Sequence, residues 1–123
     1  MVFTEVALSG SYGSEGRIDV ASVWVTKRYT LPIIQGWEVK ATRADLLSDL
    51  RLGKWRRYLP QVSRLSFAFP QGVATPEEIP PECGIAMLSP DGKWRIVRRA
   101  KPTNSKISPS LGWRLCYRAW QMY

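Results

Sequence analysis

The sequence contains no histidine among its 123 residues. Histidine is the general base in Ser-His-Asp and Cys-His catalysis and a common ligand of zinc. Its absence excludes these classes of enzyme and every histidine-ligated metal site. Any reaction that this chain catalyses must therefore use carboxylates, lysine, hydroxyl groups or a bound metal ion.

Cysteines and long apolar runs are also scarce. Cys83 and Cys116 stand alone, without the Cys-x-x-Cys spacing of a metal site. We expect buried thiols in a reducing compartment, with one disulfide as the alternative. No run of about 18 apolar residues and no charged-then-apolar leader occurs, so we expect no membrane partner and a cytoplasmic location.

Positive charge is in excess and unevenly placed. The chain has 18 Lys and Arg against 10 Asp and Glu, a net charge of +8. Residues 1–50 carry a net charge of −1 and residues 51–123 a net charge of +9. This excess indicates an anionic partner such as nucleic acid, although a basic protein without such a partner is an equally good interpretation of charge alone.

The order of apolar patterns predicts one α+β or α/β domain with a mixed sheet, spanning residues 1–123. Its core is residues 1–100, and residues 101–123 form a linker and a C-terminal helix that begins after Ser108-Pro109. Pro70–Pro81 is expected to run over the surface. The strands are predicted at Val2–Leu8, Arg17–Val25, Ile33–Lys40, Arg64–Phe69, Gly84–Leu88 and Lys93–Arg99.

The first three strands are predicted to form an antiparallel meander, and the last two a hairpin whose turn is Ser89-Pro90-Asp91-Gly92. Between the third and fourth strands, Thr42 precedes Asp45 and a leucine pattern of helical period, which is a capping signature. The predicted helix ends near Gly53. The resulting core order is β-β-β-α-β, followed by the hairpin and the last helix.

Charged residues interrupt two of the apolar strands. Glu38 and Lys40 share one face of the third strand at about 7 Å spacing, and Asp19 lies inside the second strand. If these strands pair, Asp19 can lie opposite Glu38. Carboxylates in such a group recruit a cation such as Mg²⁺ or Mn²⁺, but a structural salt bridge is the alternative. A Glu-x-Lys triplet alone is expected roughly 0.4 times in a chain of this length, so it carries little weight.

Further charged residues surround this group. For Asp45 we favour a role at the helix N-terminus, and for Asp49 a salt bridge with Lys54, Arg56 or Arg57. Arg43 is placed to reach a phosphate or a metal-site carboxylate, with simple solvation as the alternative.

The segment Lys54-Trp55-Arg56-Arg57-Tyr58 interleaves bases with aromatics. Such a pattern fits phosphate contacts combined with base stacking. We favour a core-packed Trp55 and Tyr58 with solvated arginines between them, and the two interpretations can coexist. A second basic run comprises Arg95, Arg98, Arg99 and Lys101.

Residues 4–99 carry a series of motifs in a fixed order. They are Thr4-Glu5-Val6, Gly16-Arg17-Ile18-Asp19-Val20, Trp37-Glu38-Val39-Lys40, Arg43-Ala44-Asp45-Leu46 with Ser48-Asp49, Lys54-Trp55-x-x-Tyr58, and Phe67-Ala68-Phe69-Pro70 followed by Ile79-Pro80-Pro81-Glu82-Cys83-Gly84. The order strand, Asp, strand, Glu-x-Lys, helix, strand resembles the PD-(D/E)XK, restriction-endonuclease-like nuclease superfamily. Within it, the series is similar to the MmcB-like DNA repair family.

The resemblance implies a metal-dependent DNA endonuclease of repair, recombination or phage DNA processing, with branched or single-stranded DNA among its substrates. It implies that Asp19, Glu38 and the backbone carbonyl of Val39 bind Mg²⁺ or Mn²⁺, and that Lys40 orients the attacking water. Glu5 matches a further acidic position and is a candidate metal ligand.

The same interpretation predicts a homodimer, since two DNA strands need two active sites. The residues assigned to DNA contacts are Arg17, Arg43, Lys54, Arg56, Arg57 and Tyr58. The alternative function is a non-catalytic, basic nucleic-acid-binding module with a degenerate nuclease site.

Overall fold

One mixed β-sheet of six strands organises the protein. The structure is a computed structural model and describes residues 2–7, 17–24 and 33–103. The strands follow one another in the sheet in chain order. They are β1 (Val2–Ala7), β2 (Arg17–Trp24), β3 (Ile33–Val39), β4 (Arg64–Pro70), β5 (Gly84–Leu88) and β6 (Trp94–Arg98).

Strand direction changes in the middle of the sheet. Strands β1, β2 and β3 are antiparallel, β3, β4 and β5 are parallel, and β5 and β6 are antiparallel again. A parallel pair needs a crossover, which for β3 and β4 contains the helices α1 (Arg43–Leu52) and α2 (Trp55–Tyr58) and a 3₁₀ turn at Leu59–Gln61. The predicted mixed sheet, meander and hairpin are confirmed.

Helix α1 begins and ends where the sequence predicts. The hydroxyl of Thr42 accepts a hydrogen bond from the backbone N–H of Asp45 at 3.2 Å. Gly53 ends the helix with a φ of 67°, a left-handed conformation that glycine adopts without steric cost. Leu46, Asp49 and Leu50 turn toward the protein interior. Helix α1 is therefore fixed at both ends and along one side.

Strand β4 is the centre of the core. Phe67 and Phe69 are fully buried, together with Leu46 from α1 and Ile85 from β5. A strand with parallel neighbours on both sides is shielded on both faces. Consistently, every residue from 65 to 69 is buried.

The segment 70–81 lies at the surface, as predicted, except at Ala74 and Ile79, which anchor it. It contains a 3₁₀ turn at Pro76–Glu78, and Ala74 and Ile79 enter the core. The guanidinium of Arg98 also holds it, because its N–H groups donate to four backbone carbonyls at 2.8–3.2 Å: those of Pro76, Ile79, Pro80 and Cys83.

Several predictions concern residues outside the described part of the chain. These are the glycine-serine loop after β1, the environment of Cys116, and the linker and helix from residue 104 onward. Cys83 is a free, buried thiol, as predicted, and burial raises its pKa to about 12. Within the described ranges, no helix has the length and apolar character needed to cross a membrane.

The Thr42 cap provides a test of how α1 is fixed. Thr42→Val keeps the shape of the side chain but removes the acceptor, so we expect the free energy of unfolding to fall by about 1 kcal/mol in urea denaturation. Thr42→Ser keeps the hydroxyl and should stay close to wild type. Equal stability of the two variants would show that the cap contributes nothing.

Candidate functional site

Two of the predicted site residues face each other across β2 and β3. Val20 pairs with Trp37 and Ala21 with Gly36, and the same antiparallel register continued by one step places Asp19 opposite Glu38. The carboxylate of Asp19 accepts a hydrogen bond from the backbone N–H of Val39 at 2.8 Å. The predicted juxtaposition of Asp19 and Glu38 is therefore confirmed.

Glu5 lies in the same row of the sheet. Its neighbours Thr4 and Val6 pair with Val20 and Ile18, so the register places Glu5 opposite Asp19. Three acidic positions thus cross β1, β2 and β3 in line. The side chain of Glu5 lies outside the described part of the structure, and its role as a metal ligand stays a prediction.

Glu38 is a buried carboxyl group with one unpartnered oxygen. The residue is 3% exposed. Its Oε2 lies 3.6 Å from Nζ of Lys40, whereas its Oε1 has no hydrogen-bond partner among the described residues. Burial, and secondarily the charge of Asp19, raises the pKa of Glu38 to about 8. The position is costly for an ionised carboxylate unless a cation accompanies it.

Lys40 is held mainly by an acid that the sequence analysis did not place in the site. Its Nζ lies 2.7 Å from Oδ2 of Asp49, which is 4% exposed. Burial lowers the pKa of Lys40, but the hydrogen bond and charge of Asp49, with the charges of Glu38 and Asp19, outweigh burial and raise it. The predicted pairing of Asp49 with Lys54, Arg56 or Arg57 is wrong.

The reason for this difference lies in the packing of α1. Asp49 follows the buried Leu46 by three residues and precedes Leu50, so it belongs to the inward face of the helix. That face covers the side of β3 that carries Glu38 and Lys40. An acid at helical spacing among apolar residues was the signal that could have identified Asp49.

The charges of this cluster do not balance. Of the bases in the part of the chain that the structure describes, Lys40 alone is paired with these acids, so Asp19, Glu38 and Asp49 leave a surplus of two negative charges when all are ionised. Within the same part, Oε1 of Glu38 and Oδ1 of Asp49 are both buried without a partner. Within the described residues, no three Asp, Glu, His or Cys side chains are arranged to hold a metal ion.

A small, hard cation fits this set nevertheless. Mg²⁺ is usually bound by only one or two carboxylates and retains several waters. The carboxylates of Asp19 and Glu38 are oxygen donors of that kind, and the role of the Val39 carbonyl as a third donor stays a prediction. The residues present therefore fit Mg²⁺ or Mn²⁺ better than a cation that requires a complete protein cage.

Arg43 does not reach the acidic cluster. Its guanidinium donates to both carboxylate oxygens of Glu78, at 2.6 and 3.1 Å, and to the carbonyl of Val73 at 3.0 Å. The hydrogen bonds from Arg43, with that from the backbone of Thr75, lower the pKa of Glu78 to about 2. The predicted contact of Arg43 with a metal-site carboxylate is therefore wrong, because the loop after β4 supplies a closer partner.

The basic-aromatic segment separates into a buried and an exposed half. Trp55 and Tyr58 are 6% and 7% exposed and belong to the core, which confirms the core-packing alternative. A DNA-stacking role does not fit so buried a ring as that of Tyr58. Arg56 lies over the ring of Trp55 at 5.4 Å, and Lys54, Arg56 and Arg57 are exposed. The side chain of Arg17 lies outside the described part.

The raised pKa of Glu38 gives a stability prediction. Between about pH 5 and about pH 8 the folded protein keeps a proton on Glu38 that the unfolded chain has released, so stability falls as pH rises. Glu38→Gln removes this contribution. Melting temperatures measured in EDTA should therefore decline less steeply with pH in Glu38→Gln than in wild type.

An exposed acid supplies the control for this measurement. Glu77→Gln changes a residue outside the cluster and should retain the wild-type slope. Identical slopes for Glu38→Gln and wild type would contradict a buried, protonated Glu38.

Comparisons with known proteins identify a shared fold. No protein-family model and no curated protein matches the chain. A solved structure of a protein of unknown function from Silicibacter pomeroyi matches with a TM-score of 0.63 and 22% sequence identity, over 98% of this chain and 75% of that chain. At this identity the similarity shows that the two proteins have the same fold.

Proposed function

We propose that this protein is a Mg²⁺- or Mn²⁺-dependent DNA endonuclease that hydrolyses phosphodiester bonds in DNA repair, recombination or phage DNA processing. The observation that carries the proposal is the buried Glu38, which faces Asp19 and Lys40 and whose Oε1 finds no partner in the ranges 2–7, 17–24 and 33–103. A sheet that buries an unpartnered carboxylate oxygen beside two further acids is suited to holding a cation.

The ion would be held by Asp19, Glu38 and the carbonyl of Val39. When bound, such an ion neutralises charge on a scissile phosphate and makes a water molecule more acidic. Asp19 has a second function in the folded chain, because its Oδ2 fixes the backbone N–H of Val39. It thereby fixes the end of β3, where the donor carbonyl is located.

Lys40 would contribute a fixed positive donor. Its side chain is 18% exposed, and its ammonium bonds to Asp49 at 2.7 Å and lies 3.6 Å from Glu38. Because those carboxylates raise its pKa, it remains protonated at neutral pH. In this position it can donate a hydrogen bond to the attacking water or to the charge that develops on the phosphate. None of these roles requires histidine.

Exposed bases are available for the DNA backbone. Contacts to phosphate oxygens position a nucleic acid without reading its sequence. A two-fold homodimer would present one site to each DNA strand. The exposed bases of the described residues in α2, in β6 and near them are Lys54, Arg56, Arg57, Lys93, Arg95, Arg99 and Lys101.

The second candidate is a non-catalytic nucleic-acid-binding module. The short contact between Lys40 and Asp49 favours it, because a lysine with a carboxylate at 2.7 Å already forms a stable ion pair without any metal. This candidate predicts that DNA affinity falls steeply with salt and does not respond to divalent ions.

Cleavage assays test the first candidate. The protein is incubated with branched, single-stranded and duplex DNA in Mg²⁺ or Mn²⁺, and we expect cleavage of at least one substrate. Glu38→Gln should reduce the rate by more than about 100-fold, since even partners of metal ligands cost about 10–100-fold when lost. Glu77→Gln, an exposed Glu→Gln change, should retain activity. Absence of cleavage in wild type, or equal cleavage by Glu38→Gln, would overturn the proposal.

Metal binding separates the two candidates without any DNA substrate. Calorimetry should detect Mn²⁺ binding to wild type and its loss in Asp19→Asn. Asparagine keeps an oxygen that can accept from Val39 N–H, so the fold near β3 should persist. Wild type that binds DNA but not Mn²⁺ would establish the non-catalytic module instead.

A further inference from the structure

The position of the Lys40 ammonium is set by Asp49. The Nζ to Oδ2 distance is 2.7 Å, a full charge-assisted hydrogen bond, whereas Nζ to Oε2 of Glu38 is 3.6 Å. Lys40 therefore bonds to α1 and only approaches β3, although Glu38 is its neighbour on the same strand face. The ammonium lies between two buried carboxylates and is bonded to one of them.

Helix α1 fixes the position of Asp49, which holds the Lys40 ammonium. Leu46, one turn earlier, is fully buried, and the backbone carbonyl of Asp49 accepts the N–H of Gly53 at 2.9 Å. Oδ1 of Asp49 has no partner, so Lys40 is the one hydrogen-bond donor that the described residues supply to its side chain. The pair is thus mutually dependent: each side chain orients the other.

We propose that Asp49 is a positioning residue that holds Lys40 away from Glu38 and so keeps the Glu38 carboxylate available for a divalent cation. The catalytic consequence of this inference rests on the proposed function. An ammonium and a divalent ion compete for the same carboxylate. Because charges interact strongly where water is excluded, a lysine released from Asp49 would close onto Glu38 and occupy it.

The same interaction places the ammonium for the reaction. A donor that stabilises charge in a transition state must be held close to its productive position, and a helix holds it more exactly than a loop. Removal of Asp49 should therefore lower kcat and leave the KM for DNA nearly unchanged, because exposed bases elsewhere bind the phosphate backbone.

The test compares Asp49→Asn with Asp45→Asn, an exposed Asp→Asn change one turn earlier on the same helix. The neutral amide of Asn can still accept a hydrogen bond, but it holds an ammonium less strongly than the carboxylate of Glu38 does. Crystal structures without metal should show Nζ of Lys40 within about 3 Å of Glu38 in Asp49→Asn and unchanged in Asp45→Asn. Calorimetry should show Mn²⁺ affinity lowered about 10–100-fold in Asp49→Asn alone. A Lys40 that stays in place, or an unchanged Mn²⁺ affinity, would overturn the inference.

Two additions keep the test decisive. Asp49→Glu retains the charge on α1 and should recover part of the Mn²⁺ affinity and of kcat; a complete lack of recovery would count against positioning. Asp49→Glu also takes the place of Asp49→Asn in the comparison if Asp49→Asn does not fold. Should wild type neither bind Mn²⁺ nor cleave DNA, the proposed function fails, while the movement of Lys40 in the crystal still decides whether Asp49 positions it.

Discussion

The burial of Glu38 is the constraint around which this site is built. A carboxyl group that is 3% exposed must be protonated, paired or bound to a cation, and among the described residues the ammonium of Lys40 approaches it no closer than 3.6 Å. Lys40 cannot serve Glu38 fully because Asp49 holds it. The protein thus keeps a carboxyl group with one unpartnered oxygen, among the described residues, in an otherwise apolar core, and burial raises its pKa to about 8. Stability alone would favour an apolar residue there, which is the reason for assigning the position a function.

The topology is what makes this cluster possible. An antiparallel partner brings Asp19 opposite Glu38, and the crossover to the parallel strand β4 lays α1 over the same end of β3. Asp49 is thereby placed beside Lys40, although the two residues are nine positions apart in the chain. Among the described residues, acids from β2, β3 and α1 meet one base, Lys40, which directly follows the last residue of β3. The side chains of the three acids are thus positioned by regular secondary structure, which holds a site more exactly than loops do.

Strand and helix positions followed from the sequence because apolar period, the Thr42 cap and Gly53 are local signals. The pairing of Asp19 with Glu38 also followed, since short connections favour neighbouring strands. The partners of Asp49 and Arg43 did not. Arg43 has a long side chain, and Asp49 lies in the middle of the cluster, so each has several oppositely charged residues within reach. Which of them becomes the partner depends on how α1 and the loop after β4 pack. The helical spacing of Asp49 relative to Leu46 and Leu50 could have shown that it faces inward, but which base it meets there depends on tertiary packing.

Arg98 connects β6, at one edge of the sheet, to the acidic cluster. Its guanidinium donates hydrogen bonds from β6 to the carbonyls of Pro76 and Ile79, in and directly after the Pro76–Glu78 turn. Glu78 of that turn accepts a hydrogen bond from Arg43, the first residue of α1. A continuous line of polar contacts thus runs from the outermost strand to the helix that carries Asp49. The β5–β6 hairpin therefore helps to hold α1, and with it Asp49, in place. A change that loosens Arg98 at the edge of the sheet should also disturb the acidic cluster.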